Sequence, residues 1–564
     1  MSDSHTGAEL FVDALEQYGV HHLFGNPGTT ELPIMEALSG SDIEYVLGLQ
    51  EDVATGMAAG YASTRRYHAD GDPDIRPVGV ANLHVTPGLA HGLGNVFGAM
   101  YGGAPTVITA GNHELDFRHE EPILTGDLEA LVDQFCKYSA EVTHIDALPM
   151  LVRRAFRTAL TPPTGPVFLA LPADVMMAET DDSPERLGPI PDAGGGDPTQ
   201  IGVAADHLLD ADRPVMVLGD HVARAGTDAV EAAVELAEAT GSRVHGEILA
   251  SEINFPTDHE QWVSFVGPDE GTASMLMDTD TLALIGCSTN TTLLRHESPL
   301  VSENTTTIQV SSDPWEVGKN HPADAAVVGD PGRVMRSIAE RVGDRLDEAE
   351  LSARLEAVEG LKSGLQATMR ELGEDEAPEG DTRSSKAQLV DSMRDVDPDT
   401  YIVDEGVTSK FALLTRFPLE PEGYLSNKGG GLGYGLPAAI GAAFAESLRE
   451  DPRRVVGYIG DGSYLYYPNS VYSAARHDLD LTVVVSDNRN YRILKDNTVK
   501  MMGGDEGDYE FVGMDFDPHV DIPKNAESHG ARGHLVETPE EFPTVYEQAL
   551  NSDGTDVIDV LVHD

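Results

Sequence analysis

Short, continuous apolar runs recur along the chain, and stretches with apolar residues at helical spacing lie between them. The runs that predict β-strands are HHLFGNPG, PVGVANLH, PTVITAG, GPVFLALP, RPVMVLG, SRVHGE, TLALIGC, TTTIQVSSD, TYIVDEG, RVVGYIGDG, LTVVVSDN and DVIDVLVHD. Stretches such as GAELFVDALEQYGV, DVATGMAAGYAST and DAVEAAVELAEATG predict helices. A strand that is buried on both faces reads as an unbroken apolar run. The pattern therefore predicts parallel sheets covered by helices on both sides.

Two stretches without strand patterns divide the chain into three parts. The first, from about 181 to 198, is rich in Pro, Gly and Asp, and the second, from about 344 to 379, is acidic and helix-prone. A chain of 564 residues is also too long for one hydrophobic core. We therefore predict an α/β fold of three doubly wound parallel-sheet domains, at 1–182, 198–345 and 385–564.

Acidic residues outnumber basic residues, 96 to 37, which gives a formal net charge of −59. They are scattered through helices and loops, so they do not form an acidic tail. Such a surface is typical of a protein that works in concentrated salt, where the Debye length falls to about 3 Å and self-repulsion is screened. It argues against nucleic acid as a partner, because phosphates are bound by Lys and Arg.

The cysteines and the N-terminus restrict the class of protein further. The two cysteines, Cys136 and Cys287, lie in unrelated contexts, which excludes a disulfide scaffold and a zinc site built on cysteines. The N-terminus MSDSHTGAEL has no basic and apolar signal pattern, and no run of 18 apolar residues occurs. We expect a soluble, cytoplasmic protein in a high-salt cell, with no membrane partner.

Candidate chemistry first appears where two neighbouring apolar strands end. The strand RVVGYIG is followed by Asp461, and the strand LTVVVSD is followed by Asn488. Because parallel strands end at the same edge of a sheet, two oxygen ligands suited to Mg²⁺ would meet there. Gly462 and Ser463 would offer backbone N–H groups to a phosphate at the start of the next helix. The sequence therefore predicts a metal and phosphate site.

This segment, GDG followed by DNRNY, resembles the diphosphate-binding motif of thiamin-diphosphate enzymes. FGNPGTTELP, GLQEDVATGMAAGYA, NLH and NKGGGLGYGLPAAIGAA resemble benzoylformate decarboxylase and related 2-keto-acid decarboxylases. The resemblance covers essentially the whole chain. It implies pyrimidine-binding, central and diphosphate-binding domains in that order, with thiamin diphosphate and Mg²⁺ as cofactors. It also implies a homodimer or homotetramer whose active sites are shared between subunits.

The resemblance assigns cofactor roles to residues of the third domain. Asp461 and Asn488 match the side-chain ligands of Mg²⁺, and Asn490 matches a residue that supplies a backbone carbonyl. Leu432 matches the apolar residue that supports the bent cofactor. The residues expected at the diphosphate are Gly462, Ser463 and, with a weaker match, Thr408.

Glu51 and Asp52 both begin a helix after a strand, where either acid would complement the helix dipole. The residues alone do not choose between them. The resemblance selects Glu51 as the group that hydrogen-bonds the cofactor's aminopyrimidine and so promotes loss of the thiazolium C2 proton.

His84 and Thr29 are the other predicted catalytic residues. A lone His at a strand end is more often structural, but NLH falls where benzoylformate decarboxylase has an active-site His. Histidine titrates near neutral pH, which suits proton transfer. Thr29 matches a Ser that contacts the substrate carboxylate.

The substrate pocket is where this chain departs from the family pattern. His296 lies near the place of a second active-site His, but its loop differs in length. Ile123 and Leu124 stand where pyruvate decarboxylases carry a His pair, which argues against that subgroup. Ile493 and Leu494 are expected to line the pocket, and Ile493 replaces an Ala of benzoylformate decarboxylase. We therefore expect a smaller or more flexible acyl group than an aryl one.

These features predict non-oxidative decarboxylation of a 2-keto acid to an aldehyde and CO₂. An acetolactate synthase-like carboligase is the close alternative, and a cofactor-binding subunit without turnover is a more distant one. The central domain could retain a nucleotide or FAD site, but no glycine fingerprint follows its strands.

Overall fold

The computed structural model describes residues 4–72, 74–288, 295–372, 377 and 380–564. The chain folds into two compact units. The first unit contains residues 1–190, 377–413 and 427–564, and the second contains residues 191–376 and 414–426. Within the described residues, every helix is either too short or too polar to span a membrane.

The N-terminal part folds around a parallel sheet of six strands. The strands of this part, two of which lie outside the six-stranded sheet, are β1 (His5–Thr6), β2 (His22–Gly25), β3 (Glu44–Leu47), β4 (Gly79–Leu83), β5 (Thr106–Asn112), β6 (Ser139–Glu141), β7 (Val167–Pro172) and β8 (Glu179–Thr180). Its helices are α1 (Gly7–Gln17), α2 (Leu32–Leu38), α3 (Glu51–Gly71), α4 (Val85–Gly102), α5 (Leu128–Val132), α6 (Leu148–Leu160) and α7 (Ala173–Met177). The sheet order is β3-β2-β4-β5-β7-β6, and β1 and β8 form a separate antiparallel pair.

The central part contains a second six-stranded parallel sheet, ordered β11-β10-β9-β12-β13-β14. Its strands are β9 (Pro214–Leu218), β10 (Arg243–Gly246), β11 (Trp262–Phe265), β12 (Thr281–Ile285), β13 (Thr306–Ser311) and β14 (Ala325–Val328). Its helices are α8 (Pro198–Asp210), α9 (His221–Arg224), α10 (Thr227–Thr240), α11 (Glu270–Leu276), α12 (Pro331–Val342) and α13 (Glu348–Leu372). Buried clusters cover both faces of this sheet, because Met216 and Ile308 belong to one cluster and Val215 and Leu284 to another.

The C-terminal part contains the third sheet, ordered β16-β15-β17-β18-β20-β19. Its strands are β15 (Tyr401–Glu405), β16 (Tyr424–Ser426), β17 (Val455–Gly460), β18 (Leu481–Asp487), β19 (Arg532–Val536) and β20 (Thr555–Leu561). Its helices are α14 (Lys386–Val396), α15 (Lys410–Arg416), α16 (Gly435–Glu446), α17 (Asp461–Tyr464), α18 (Ser470–Arg476), α19 (Arg492–Met502), α20 (Ile522–Ser528) and α21 (Phe542–Leu550). The prediction of an α/β fold with three parallel sheets is confirmed.

The first and third sheets have the same strand order. In each sheet the strand order changes direction between the first two interior strands, so successive strands are added on opposite sides of this point, which is called the switch point. In the first sheet this switch point lies between β2 and β4, and in the third it lies between β15 and β17. Ligands of open α/β sheets bind outside the carboxyl ends of the strands at such a point. The topology alone therefore predicts two ligand-binding places in the first unit, one at each switch point.

The acidic, helix-prone stretch before the third domain is an ordered helix over most of its length. It forms α13, and the Arg354 guanidinium of this helix is buried. Arg354 donates to the carbonyls of Leu208 (3.1 Å), Leu209 (3.0 Å) and Thr240 (2.7 Å), which lie in the last turns of α8 and α10. The helix therefore packs within the second unit, a role that composition alone did not suggest.

Candidate active site

Asp461 and Asn488 follow directly after β17 and β18, which are hydrogen-bonded neighbours. Their side chains are almost fully buried, as is that of Asn490. The Asn490 backbone N–H donates to Asn488 Oδ1 (3.3 Å), and the two amide groups donate to the Asp564 carboxylate at 2.7 and 2.9 Å. The structure thus brings together the three residues predicted to bind the metal.

This corner has the chemistry of a cation site. Asp461 Oδ2 and Asn490 Oδ1 are buried oxygens that receive no hydrogen bond from the part of the chain that the structure describes. Burial, together with the facing carboxyl of Asp487, raises the pKa of Asp461 well above its usual range. A divalent cation would satisfy these oxygens and offset the two facing carboxyls, so the residues present fit Mg²⁺.

Gly462 and Ser463, two of the three residues predicted at the diphosphate, have partners inside the fold. The Gly462 N–H donates to Asp461 Oδ1 (2.8 Å), and the Ser463 hydroxyl donates to the Glu405 carbonyl (3.3 Å). A Cβ at position 462 would come within 2.7 Å of the Tyr491 ring. The neighbour that requires a glycine at this position is therefore Tyr491.

A cavity opens beside Asp461, and residues between 386 and 493 line it. Its wall contains Thr408, Leu432 and Ile493, three of the residues that the sequence placed near the cofactor or substrate. Lys386 and Arg492 also line it, and both pair with the Asp564 carboxylate, at 3.7 and 3.8 Å. The cavity therefore combines a cation corner, apolar contacts and cationic side chains, which suits a diphosphate-bearing cofactor.

Glu51 is the first residue of α3 and lies in the N-terminal part. Its Oε1 accepts a hydrogen bond from Asn26 Nδ2 (3.3 Å), and its Oε2 faces His91 Nδ1 at 3.4 Å. Both contacts are long, and His91 is largely exposed. Glu51 is therefore a buried carboxylate that is only weakly held by its neighbours, which leaves it able to bind a ligand.

The neighbouring acid, Asp52, is tied firmly into the fold. Its Oδ1 accepts from the Asn95 N–H (2.7 Å) and its Oδ2 accepts from the Tyr467 hydroxyl (2.6 Å). Burial raises the pKa of Asp52, while these two hydrogen bonds lower it. The structure thus separates two acids that the local sequence left equivalent, and it leaves Glu51 as the one available to a ligand.

His84 lies at the switch point of the first sheet, directly after β4, with a neighbour that sequence analysis missed. Glu31 is fully buried, and its Oε2 lies 2.8 Å from His84 Nδ1. The same carboxylate accepts hydrogen bonds from the N–H groups of Gly28 (2.8 Å) and Gly111 (2.9 Å) and from the Thr30 hydroxyl (2.8 Å). Because a carboxylate accepts hydrogen bonds, this contact places the ring proton of a neutral His84 on Nδ1, and Nε2 then carries none.

The turn before Glu31 is shaped to admit the His84 ring. A Cβ at Gly28 would lie 2.0 Å from His84 Nδ1, so only a glycine fits there. The motif GNPGTTE contains both this glycine and Glu31, but nothing in the local pattern shows that the acid points at a histidine 53 positions away.

Thr29 borders a separate open groove of about 1050 Å³ in the N-terminal part. The groove is also lined by Thr30 and His113 and by apolar side chains that include Leu32, Phe117 and Met177. Thr29 thus lies close in sequence to the Glu31–His84 pair, at the same carboxyl end of β2.

Three other residues predicted for the substrate pocket do not line the cavity beside Asp461. Ile123 is 84% exposed, Leu124 and Leu494 are also exposed, and none of the three lines that cavity. His296 belongs to the second unit, where its Nε2 lies 3.0 Å from the Pro268 carbonyl oxygen. Part of the loop that precedes His296, residues 289–294, lies outside the described residues.

Strained backbone flanks the candidate residues. Val85 (φ 32°), Val407 (φ 50°) and Arg489 (φ 62°) adopt positive φ values, which are rare for residues other than glycine and especially so for valine. They adjoin His84, Thr408 and the Asn488–Asn490 pair. Such strain persists where the surrounding structure requires it, often at functional sites.

The chain matches three family models in succession. They are described as the N-terminal TPP binding domain (residues 5–135), the central domain (201–338) and the C-terminal TPP binding domain (406–560) of thiamine pyrophosphate enzymes. The cavity beside Asp461 lies within the C-terminal match, except for Lys386, and Glu51 and His84 lie within the N-terminal one.

Relatives align with the chain over nearly its whole length. It is 29% identical to a benzoylformate decarboxylase of Pseudomonas aeruginosa over 97% of each chain. It is 26% identical to a probable acetolactate synthase large subunit of Methanocaldococcus jannaschii over 99% of this chain and 92% of that one. A thiamine diphosphate-dependent 4-hydroxybenzoylformate decarboxylase from Rhodococcus jostii RHA1 superposes with a TM-score of 0.84 at 27% identity, over 99% of each chain. With its three domains in the family order, the chain belongs to the thiamine pyrophosphate enzymes.

Proposed function

We propose that this protein is a thiamin-diphosphate- and Mg²⁺-dependent decarboxylase of a 2-keto acid, which it converts to an aldehyde and CO₂. The cofactor, when bound, supplies a nucleophilic carbon and an electron sink for the bond that loses CO₂. The observation that carries the proposal is the His84–Glu31 pair at a ligand-binding switch point. Release of an aldehyde needs a proton at the carbon that lost CO₂, and a partly exposed His84 that is held at Nδ1 by Glu31 would deliver it from Nε2 in its imidazolium form.

The other proposed residues bind and orient the metal, the cofactor and the substrate. Asp461, Asn488 and the Asn490 carbonyl hold Mg²⁺, and Leu432 supports the cofactor from the cavity wall. Glu51 hydrogen-bonds the aminopyrimidine, and Thr29 contacts the substrate carboxylate. A subunit without turnover is less consistent with this arrangement, because it would need neither a buried Glu51 with weak contacts nor an oriented His84.

We further propose that two subunits share each active site. The cavity beside Asp461 is lined by residues from 386 onward, so in one chain Glu51, His84 and Thr29 are not among its lining residues. A second copy that presents its N-terminal part to this cavity would add the missing carboxylate and histidine. We therefore propose a homodimer or a homotetramer.

The direct test is CO₂ release from a panel of 2-keto acids in the presence of thiamin diphosphate and Mg²⁺. The panel contains pyruvate, a branched 2-keto acid, phenylpyruvate and benzoylformate, and each is assayed in dilute and in multimolar KCl. We expect a simple aldehyde as product and higher activity in concentrated salt, which screens the charge of −59. An acyloin or an acetohydroxy acid would instead assign the protein to the carboligases. Bound cofactor with no turnover of any substrate would contradict both assignments.

Glu31→Gln is expected to reduce turnover by about 100-fold or more, within the range for loss of general acid–base catalysis. The amide would either donate to His84 Nδ1, which favours the opposite tautomer, or face the Gly111 N–H. The measurement is kcat and KM across pH, together with thermal unfolding. Thr30→Val is the matched control, because it removes one hydrogen bond from Glu31 and a long contact with His84 Nδ1 (3.4 Å) but keeps the charge. Equal losses in the two variants would show that Glu31 acts only through local packing.

Ile493→Ala is expected to shift substrate preference towards aryl 2-keto acids. Ile493 lines the cavity, and removal of its branched side chain would raise kcat/KM for benzoylformate relative to pyruvate by about tenfold. Leu494→Ala is the matched control, since Leu494 is exposed and lies outside the cavity wall. An unchanged preference in Ile493→Ala would remove this residue from the substrate pocket.

A further inference from the structure

Glu405, the last residue of β15, is a buried carboxylate to which neither the motifs nor the proposed reaction gives a role. Its Oε1 accepts hydrogen bonds from Asn427 Nδ2 (2.7 Å) and the Tyr434 N–H (3.3 Å). Its Oε2 accepts from the N–H groups of Gly433 (3.2 Å) and Gly435 (3.0 Å). Each oxygen thus has two donors, and all four of these partners are N–H groups.

These donors all belong to one segment, the glycine-rich loop 427–435 that leads into α16. Asn427 closes the loop further, because its Nδ2 also donates to the Gly431 carbonyl (2.5 Å) and its Oδ1 accepts from the Gly430 N–H (3.1 Å). The loop is therefore wrapped around a carboxylate supplied by a different strand. Burial raises the pKa of Glu405 to about 7, whereas these N–H donors favour its ionised form.

The loop contributes a single residue, Leu432, to the wall of the cavity beside Asp461. Glu405 also lies next to two other parts of that wall. The Glu405 backbone carbonyl accepts a hydrogen bond from the Ser463 hydroxyl. Gly406, Val407 and Thr408, which also line the cavity, follow Glu405 directly in the chain. One buried side chain is thus placed where three segments of the cavity wall meet.

We propose that Glu405 is a positioning residue for the cofactor: its carboxylate shapes the loop 427–435 so that Leu432 stands in the cavity beside Asp461. The inference rests on the proposed cofactor-supporting role of Leu432. Glu405 does not itself contact the cofactor, and its effect on binding passes through the loop.

The test is a double-substitution cycle on thiamin diphosphate affinity, measured by calorimetry with Mg²⁺ on the full chain. Glutamine has the shape of glutamate, but in either orientation of the amide its NH₂ group would face two of the N–H groups that now donate to Glu405. We expect Glu405→Gln to weaken cofactor binding about tenfold or more. Leu432→Ala should weaken binding to a similar degree, and the double variant should be little worse than the more affected single variant.

Glu446→Gln is the matched control for loss of a buried carboxylate. Glu446 ends the same helix, α16, at the opposite end from the loop, where it pairs with His68 (3.0 Å) and Arg453. This variant should lower the unfolding temperature and leave cofactor affinity unchanged. Asn427→Ala, which leaves Glu405 its three N–H donors, is the second variant if Glu405→Gln does not fold, and it should weaken binding in the same non-additive way.

Additive effects of the Glu405 and Leu432 substitutions would overturn the proposal, as would normal cofactor affinity in a Glu405→Gln variant with a lowered unfolding temperature. Because binding is measured without substrate, the result does not depend on which 2-keto acid is decarboxylated. A failed substrate panel would therefore leave this inference intact, and a failed cycle would leave the decarboxylase assignment intact.

Discussion

Replacement of Glu51 by Gln is expected to abolish most CO₂ release, with a fall in kcat of about 10²–10⁴-fold, the usual contribution of a general acid–base group. The amide has the shape of the carboxylate and can keep the long contact with Asn26. It cannot act on the cofactor's aminopyrimidine as a carboxylate does. The measurement is CO₂ release at saturating substrate and cofactor, with cofactor affinity and unfolding temperature determined in parallel. Cofactor affinity and unfolding temperature should stay close to those of the unmodified protein.

Asp52→Asn is the matched control for Glu51→Gln, since the two acids are adjacent and begin the same helix. Asp52 is held by the Asn95 N–H and the Tyr467 hydroxyl, so its replacement should destabilise the fold by about 1–3 kcal/mol. Turnover per folded molecule should change little. If Asp52→Asn were inactive and Glu51→Gln active, the catalytic carboxylate would be Asp52, and the family motif would begin one residue later in this helix.

Asp461→Asn is expected to have opposite effects on the apoprotein and on the loaded enzyme. The apoprotein should be at least as stable, because the substitution removes a buried carboxyl that faces Asp487. Affinity for Mg²⁺ in the presence of thiamin diphosphate should fall by about 100-fold, since even the outer-shell partners of metal ligands change affinity 10–100-fold. Thermal unfolding of the apoprotein and calorimetric titration with Mg²⁺ measure the two effects separately.

Asn490→Ala is the control for the metal site, because the proposed ligand at this position is the backbone carbonyl. It should retain more Mg²⁺ affinity than Asp461→Asn does, because it keeps every proposed ligand atom and loses only the side-chain hydrogen bonds to the Asn488 carbonyl and the Asp564 carboxylate. A loss as large as that of Asp461→Asn would point to Asn490 Oδ1, which accepts no hydrogen bond from the described residues, as a further ligand. Unchanged Mg²⁺ affinity in Asp461→Asn would exclude a metal site at this corner.

The apolar runs predicted the interior strands of all three sheets. They missed the strands at the sheet edges, which are β3, β6, β11, β14, β16 and β19. The reason is burial: β4, β5, β12 and β18 are buried along their whole length, whereas β3, β6 and β19 are largely exposed or half-buried. An edge strand has one unpaired side, so its residues need not form a continuous apolar run. β16 is buried but only three residues long, too short to give a pattern.

The ends of those interior strands made the candidate site partly predictable. Because parallel strands share one carboxyl edge, the sequence alone placed Asp461 beside Asn488 and identified Glu51 and His84 as candidates. The separation of Glu51 from Asp52 required the family resemblance. The structure adds the physical difference between them, since Asp52 is fully hydrogen-bonded within the fold.

Sequence alone therefore determined the architecture, the family motifs and the strand-end residues, since burial and parallel pairing leave a local pattern in the chain. Only the tertiary structure decided which polar groups meet. Glu31 holds His84, Glu405 holds the loop 427–435, and Tyr491 fills the space beside Gly462. These contacts join residues far apart in the chain, and a hydrogen bond depends on distance and direction, which no local periodicity records.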